Sequence, residues 1–268
     1  MNRFSRAFDR LRADGACGLF PYLTAGFPDV ATCHALAEAA LDAGADGFEI
    51  GVPFSDPLAD GATMQRANAR ALDGGATLDT ALELVRLIRG RSPETPVALM
   101  SYYNPLRQRG DARLAADLEA AGGDATIVPD LPPEEAAELR AALEAHGLGF
   151  VPFLAPTSPE SRISAVGALN PAFIYCVALV GVTGARQDMS ATLGDFLDRV
   201  RAATSSAPLV VGFGISQADH VRRAARLGAA GVIVASALTD LVERSADPIA
   251  AASAYLREMK QAASAVTP

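Results

Sequence analysis

Short, nearly continuous apolar runs alternate along this chain with longer stretches of helical period. The runs Gly18–Leu23, Gly47–Ile50, Val97–Ser101, Ala125–Val128, Gly149–Leu154, Phe173–Val177, Leu209–Phe213 and Gly231–Ala235 predict strands buried on both faces. Helical spacing falls between them, over Val30–Ala43, Leu78–Arg89, Ala112–Ala121, Pro133–His146, Pro159–Leu169, Thr192–Thr204, Gln217–Leu227 and Pro248–Ala263. Several of these helices open on cap or first-turn signals, among them Pro133-Glu134-Glu135, Ser158-Pro159-Glu160, Ser216 and Asp247-Pro248. Strand followed by helix, repeated in this way, predicts an α/β fold. It favours a single (β/α)8 TIM barrel over residues 1–268, with a doubly wound open sheet as the alternative that repetition alone leaves open. No linker-like break divides the chain.

Composition narrows the setting. Of 268 residues, 50% are hydrophobic and 20% charged, which suits a globular protein with a sizeable core. The net charge of −8 speaks against non-specific nucleic-acid binding, which needs a basic footprint. The first residues, Met1 to Gly15, are charged and amphipathic and lack the apolar centre of a signal peptide. No apolar stretch reaches membrane-spanning length. Cys17, Cys33 and Cys176 show no metal or redox spacing. A cytoplasmic protein without a membrane or nucleic-acid partner is expected.

The richest segment runs from Gly47 to Gly61, GFEIGVPFSDPLADG. Glu49 sits between Phe48 and Ile50 in a buried strand, where a carboxylate is expensive unless it has a task or a partner. Burial there should raise its pKa, so that it holds a proton near neutrality. A structural ion pair with an arginine is the competing explanation. Asp60 lies on a loop stiffened by Pro53 and Pro57, and by itself Asp60-Gly61 reads equally as a turn. Two carboxylates in different surroundings are raw material for acid/base work. In a barrel, chemistry collects at the C-terminal ends of strands, which would bring Glu49, Asp60, Tyr102, Asp130 and Tyr175 towards one mouth.

Glycine-rich pieces point to an anion. Gly181-Val-Thr-Gly184 follows the sixth strand, Gly212-Phe-Gly-Ile-Ser216 the seventh, and Val234-Ala-Ser-Ala237 follows the eighth and opens a short helix. Loops at these barrel positions, with a helix N-terminus, suit a phosphate. Absences narrow the chemistry. The one lysine, Lys260, lies in the last helix, which excludes a Schiff-base lysine on a barrel strand. His34, His146 and His220 fall in helical segments, no cluster suggests a metal, and no Ser-His-Asp set is apparent. Tyr22, Met100, Tyr102, Ile127, Tyr175 and Phe213 either line a pocket for a flat apolar group or belong to the barrel core. Leu179–Met189 reads as a lid or as a plain connection.

These residues resemble the alpha subunit of tryptophan synthase. GVPFSDPLADG at Gly51–Gly61 is specific to that family, and LFPYLTAG at Leu19–Gly26, GVTGAR at Gly181–Arg186 and GFGIS at Gly212–Ser216 reinforce the likeness along the chain. The resemblance implies a (β/α)8 barrel that cleaves indole-3-glycerol phosphate to indole and glyceraldehyde 3-phosphate by a retro-aldol reaction. It implies Glu49 as the acid/base and Asp60 as the group that holds the indole N–H. Substrate contacts would come from Tyr22, Tyr102, Ile127, Tyr175, Thr183, Gly184, Phe213, Gly214, Ile233, Ala235 and Ser236, with Gly184, Gly214 and Ser236 on the phosphate. It also implies a beta subunit in an αββα assembly, met through Pro53, Asp56, Asn104, Asp130 and Pro132. No metal and no cofactor is expected in this chain, the pyridoxal phosphate belonging to the partner. Ala62, Ala178, Leu179 and Ala235 depart from the family pattern, at a proline after Asp60-Gly61, a polar pair before GVTG and a phosphate-site glycine. A free-standing lyase that releases indole, and a non-catalytic phosphate-binding activator of a partner enzyme, are the alternatives.

Overall fold

The computed structural model describes residues 2–177, 188–204 and 207–264. Its strands are β1 (Gly18–Thr24), β2 (Phe48–Gly51), β3 (Val97–Met100), β4 (Ala125–Ile127), β5 (Gly149–Val151), β6 (Phe153–Leu154), β7 (Ile174–Val177), β8 (Leu209–Gly212) and β9 (Gly231–Val234). All pair in parallel, in the order β5-β4-β3-β2-β1-β9-β8-β7-β6.

The two ends of that order, β5 and β6, are the halves of the single expected strand Gly149–Leu154, parted by Pro152. Proline has no N–H to give a ladder, so the segment breaks there. β5 pairs with β4, β6 pairs with β7, and the Pro152 carbonyl accepts the Tyr175 N–H at 2.9 Å across the join. The ring therefore closes through one stretch of chain. The fold is a TIM barrel, and the open sheet is set aside.

Three helices lie where no element was expected, at Arg3–Ala13, Ala62–Asp73 and Tyr103–Arg109. The second buries Met64, Ala67, Asn68 and Ala71, a spacing of i, i+3, i+4, i+7 whose stripe is interrupted by the polar Asn68. The helix expected from Pro133 begins only at Ala137, because Pro132 and Pro133 carbonyls hold Glu135 and Ala136 in a separate turn.

Helix Arg3–Ala13 stoppers the foot of the barrel. Its N-cap Asn2 accepts the Phe4 N–H at 2.7 Å. Phe4 and Phe8 then pack on Phe20 of β1 and on Phe173, with ring centroids 5.0–6.1 Å apart. Truncating one such ring costs about 3–5 kcal/mol in a well-packed core. Two buried aspartates fasten the same end. Asp46 accepts the Leu19 N–H at 2.9 Å and pairs with Lys260 at 2.6 Å, tying the last helix to β1. Asp124 accepts the Val97 N–H at 2.9 Å and pairs with Arg3 and Arg89. Buried charges of this kind are tolerated because each is paired and hydrogen-bonded. The foot being closed and pinned, the polar chemistry is left at the opposite mouth.

Candidate active site

At the C-terminal ends of the strands a cavity of about 330 Å³ opens. Nine of the expected site residues line it: Glu49, Asp60, Tyr22, Tyr175, Phe213, Gly214, Ile233, Ala235 and Ser236. Thr183 and Gly184, the departures Ala178 and Leu179, and most of the expected lid lie outside the described residues.

Glu49 projects from β2 and is 4% exposed. Desolvation first, and the charge of Asp60 second, push its carboxyl up to about 8. Among the described residues no arginine faces it, and its Oε2 has no hydrogen-bond partner. The structural-ion-pair explanation is therefore excluded within those residues. Asp60 is pushed up to about 6 by burial, while hydrogen bonds from Tyr102 and Asn68 hold it down. The environments separate the two carboxyls as an acid and a base require. At neutral pH Glu49 keeps its proton and Asp60 is mostly ionised.

Tyr102 and Ile127 do not line the cavity. The Tyr102 ring turns beneath the loop before Asp60, 5.5 Å from Phe54, and its hydroxyl accepts the Ala59 N–H at 2.9 Å. It reaches the site only through Asp60. Ile127 is fully buried in the barrel interior and belongs to the core below.

Other residues line the cavity that were not singled out, chief among them Phe153, Met64, Thr63, Pro129 and Ile215. Phe153 stacks on Tyr175 at 4.5 Å. Its signal was available: it follows the break at Pro152, at the mouth end of a strand. Thr63 and Met64 ride on the helix that went unexpected.

One wall of the cavity has the chemistry to take an anion. Helix Ser236–Arg244 begins at the cavity, and Ala235 provides no side-chain cap. Its first-turn N–H groups are left for a ligand, with the positive end of the helix dipole behind them. Ala235 has φ −122°, outside the left-handed region that would demand the family's glycine. Phe213 is different: at φ +69° it is a non-glycine residue in the left-handed region, beside Gly214 at +77°. Such strain persists where the surroundings hold it, commonly at functional sites. Phe213 sits edge-on to Tyr175 at 6.0 Å.

Ala62 occupies the first position of helix Ala62–Asp73, where proline would be welcome but alanine is a good helix former. The loop does not depend on that proline for its hold. Asp60 is fastened through its N–H to the Pro57 carbonyl, its carbonyl to Gln65 and its carboxylate to Asn68.

On the rim beside the cavity, Asp56, Asn104 and Asp130 are exposed, Pro132 is half-buried and Pro53 is buried. Asp130 also accepts the Tyr103 N–H at 2.8 Å, capping the short helix that carries Asn104. Among the described residues no cluster of metal-ligating side chains occurs, and no helix is long and apolar enough to cross a membrane.

The sequence model of the tryptophan synthase alpha chain matches residues 8–267. The alpha chain of Roseiflexus castenholzii is 52% identical over 262 residues, covering 97% of this chain and all of that one. That of Chloroflexus aggregans is 51% identical, covering 98% of each. Among solved structures, the alpha subunit from Legionella pneumophila superposes with a TM-score of 0.91 at 36% identity, covering 99% of this chain and 100% of that one. A chain of Mycobacterium tuberculosis tryptophan synthase does so with a TM-score of 0.89 at 35% identity, over 98% of each. With a closed barrel, a paired Glu49 and Asp60 and matches along nearly its whole length, the chain belongs to the tryptophan synthase alpha chain family.

Proposed function

We propose that Glu49 and Asp60 together carry out the family's lyase reaction, the cleavage of indole-3-glycerol phosphate in tryptophan biosynthesis. The observation that carries this reading is the pair itself, one carboxyl raised to about 8 and the other to about 6 in a single cavity.

Glu49 gives its proton to C3 of the indole ring. The ring becomes an indolenine whose N–H is held by the Asp60 carboxylate, so positive charge develops against a fixed negative group. Glu49, now a carboxylate, takes the proton of the glyceryl hydroxyl next to the ring. The carbon–carbon bond breaks, its electron pair returns to the ring, and the hydroxyl carbon becomes the aldehyde. Glu49 ends protonated, as it began. Tyr22, Tyr175, Phe153 and Phe213 supply apolar walls for the flat ring. Gly214 and the start of helix Ser236–Arg244 hold the phosphate at the other end. This cycle asks for no cofactor in the alpha chain, and in this reading pyridoxal phosphate belongs to the beta subunit.

The rim bearing Asp56, Asn104 and Asp130 is where the beta subunit docks, in an αββα assembly within the cytoplasm. Pro53, being buried, shapes that loop from beneath. The negative φ at Ala235 and the helical place of Ala62 account for two departures from the family pattern; the lid departures Ala178 and Leu179, which motivate the free-standing lyase, lie outside the described residues. Indole release from indole-3-glycerol phosphate, measured with and without a tryptophan synthase beta subunit, tests the reading. Strong stimulation supports it. Equal activity alone would move the assignment to a free-standing lyase, and full activity of Glu49→Gln would remove the catalytic role altogether.

A further inference from the structure

Asn68 is a buried amide, 2% exposed, on the inner face of helix Ala62–Asp73. Its Nδ2 donates to the Asp60 carboxylate at 3.2 Å and to the Met64 carbonyl at 2.9 Å, and its Oδ1 accepts the Phe54 N–H at 3.1 Å. The side chain thus grips the acid, its own helix and the loop at once. Tyr102 does the same from the other side, holding the Ala59 N–H and the Asp60 carboxylate with one hydroxyl. The two groups that bind Asp60 are therefore the two that seat the loop, one near each end.

Among the described residues, the titratable groups facing Asp60 are Glu49 from β2, Tyr22 from β1, Tyr175 from β7 and Tyr102 after β3. None of these is cationic. Burial works against its charge, and only hydrogen-bond donation works for it. A donor to a carboxylate favours the ionised form, and is worth most where water is excluded.

We propose that Asn68 is the positioning residue of this site, holding the Asp60 carboxylate ionised and in place and making that state depend on how the loop from Phe54 to Ala59 is seated. The proposal rests on the reading of Asp60 as a catalytic group. A shift of the loop that pulls Phe54 from Oδ1 frees the amide to turn, and Asp60 then loses a donor without being touched itself.

The test is the pH profile of kcat/KM for indole-3-glycerol phosphate cleavage in Asn68→Ala, in Asn68→Leu and in each combined with Asp60→Asn. Removal of the donor moves the acid limb up by about one pH unit, so the loss at pH 6 exceeds the loss at pH 8 by about fivefold. The near-isosteric Asn68→Leu, which keeps the shape but neither donates nor titrates, shifts the limb the same way and serves if the alanine variant does not fold. In the Asp60→Asn background neither change has a pH-dependent effect, because the responding group is gone. A loss equal at all pH values, or the same pH-dependent loss in both backgrounds, overturns the positioning role while leaving Asp60 catalytic. Full activity of Asp60→Asn alone overturns the reading of Asp60, and the proposal with it.

Discussion

The Tyr22 side chain lies against the backbone of Gly51, its hydroxyl in the space that a Cβ at position 51 would fill. Tyr22 pairs with Glu49 across β1 and β2, and Gly51 comes two residues later, on the same face. The arrangement recurs on the far wall. Tyr175 pairs with Val210 across β7 and β8, and its hydroxyl occupies the place of a Cβ at Gly212. Two glycines thus admit two tyrosines to the cavity that holds Glu49. Gly51→Ala should displace Tyr22, cost about 1–3 kcal/mol by overpacking and lower turnover. Urea unfolding and an indole-release assay would read both. Trimming the nearest atom with Tyr22→Phe should recover part of the stability, and strict additivity of the two changes would refute the contact.

In the proposed mechanism, cleavage requires Glu49 protonated and Asp60 ionised. The pH dependence of kcat/KM should therefore be a bell between the values of about 6 and about 8 set by the two carboxyls. Glu49→Gln should lower kcat by about 10²–10⁴ while a phosphate-bearing substrate analogue still binds. Asp60→Asn should flatten the acid limb; an unchanged limb would assign it to another group.

The same carboxyl makes a prediction about stability. Glu49 titrates near 8 in the folded chain against an ordinary 4.5, so the folded state holds its proton more tightly than the unfolded one. Its contribution is most favourable below pH 4.5 and is lost as pH rises through about 8. Glutamine escapes that loss. Glu49→Gln should be more stable than the wild type at pH 9, by up to about 4 kcal/mol, with no such advantage at pH 4. Denaturation midpoints at the two pH values decide it, and an equal difference at both would show that Glu49 is not desolvated.

Phe213 sets conformation against contact. Its left-handed backbone carries roughly 1–2 kcal/mol of strain that glycine would not. The side chain is 43% exposed, so little burial is lost with it. Phe213→Gly should leave stability level or slightly raised and increase KM, because the wall beside Tyr175 is gone. A fall of several kcal/mol in stability would mean that the ring is core.

Ala235→Gly restores the residue that the family pattern favours. At φ −122° the position lies outside the left-handed region, and the backbone N–H is present either way. KM should stay within about twofold, and stability should fall by about 0.4–1 kcal/mol from the freer unfolded chain. A marked gain in substrate affinity would show that the methyl group crowds the phosphate.

The barrel is legible in the sequence because parallel strands covered on both faces leave continuous apolar runs, and each was followed by a helical stripe. Glu49 stood out as a charge inside such a run. The split at Pro152 could have been read, since proline lacks the ladder N–H, but nothing local shows that the two halves serve different neighbours. Helix Ala62–Asp73 escaped because Asn68 sits on its buried stripe, and a polar residue there looks like a break until its three hydrogen bonds are seen. From its place after β3, Tyr102 reads equally as pocket wall or as barrel core. Only tertiary packing turns its ring under the Phe54 loop.

With Phe4, Phe8, Phe20 and Phe173 packed into its foot, the barrel is a blind well. Both products of a cleavage beside Glu49 must leave by the mouth through which the substrate came. The uncharged one has no phosphate to detain it. In the proposed assembly, whatever covers the rim of Asp56, Asn104 and Asp130 decides whether indole escapes to water or passes directly to a second enzyme.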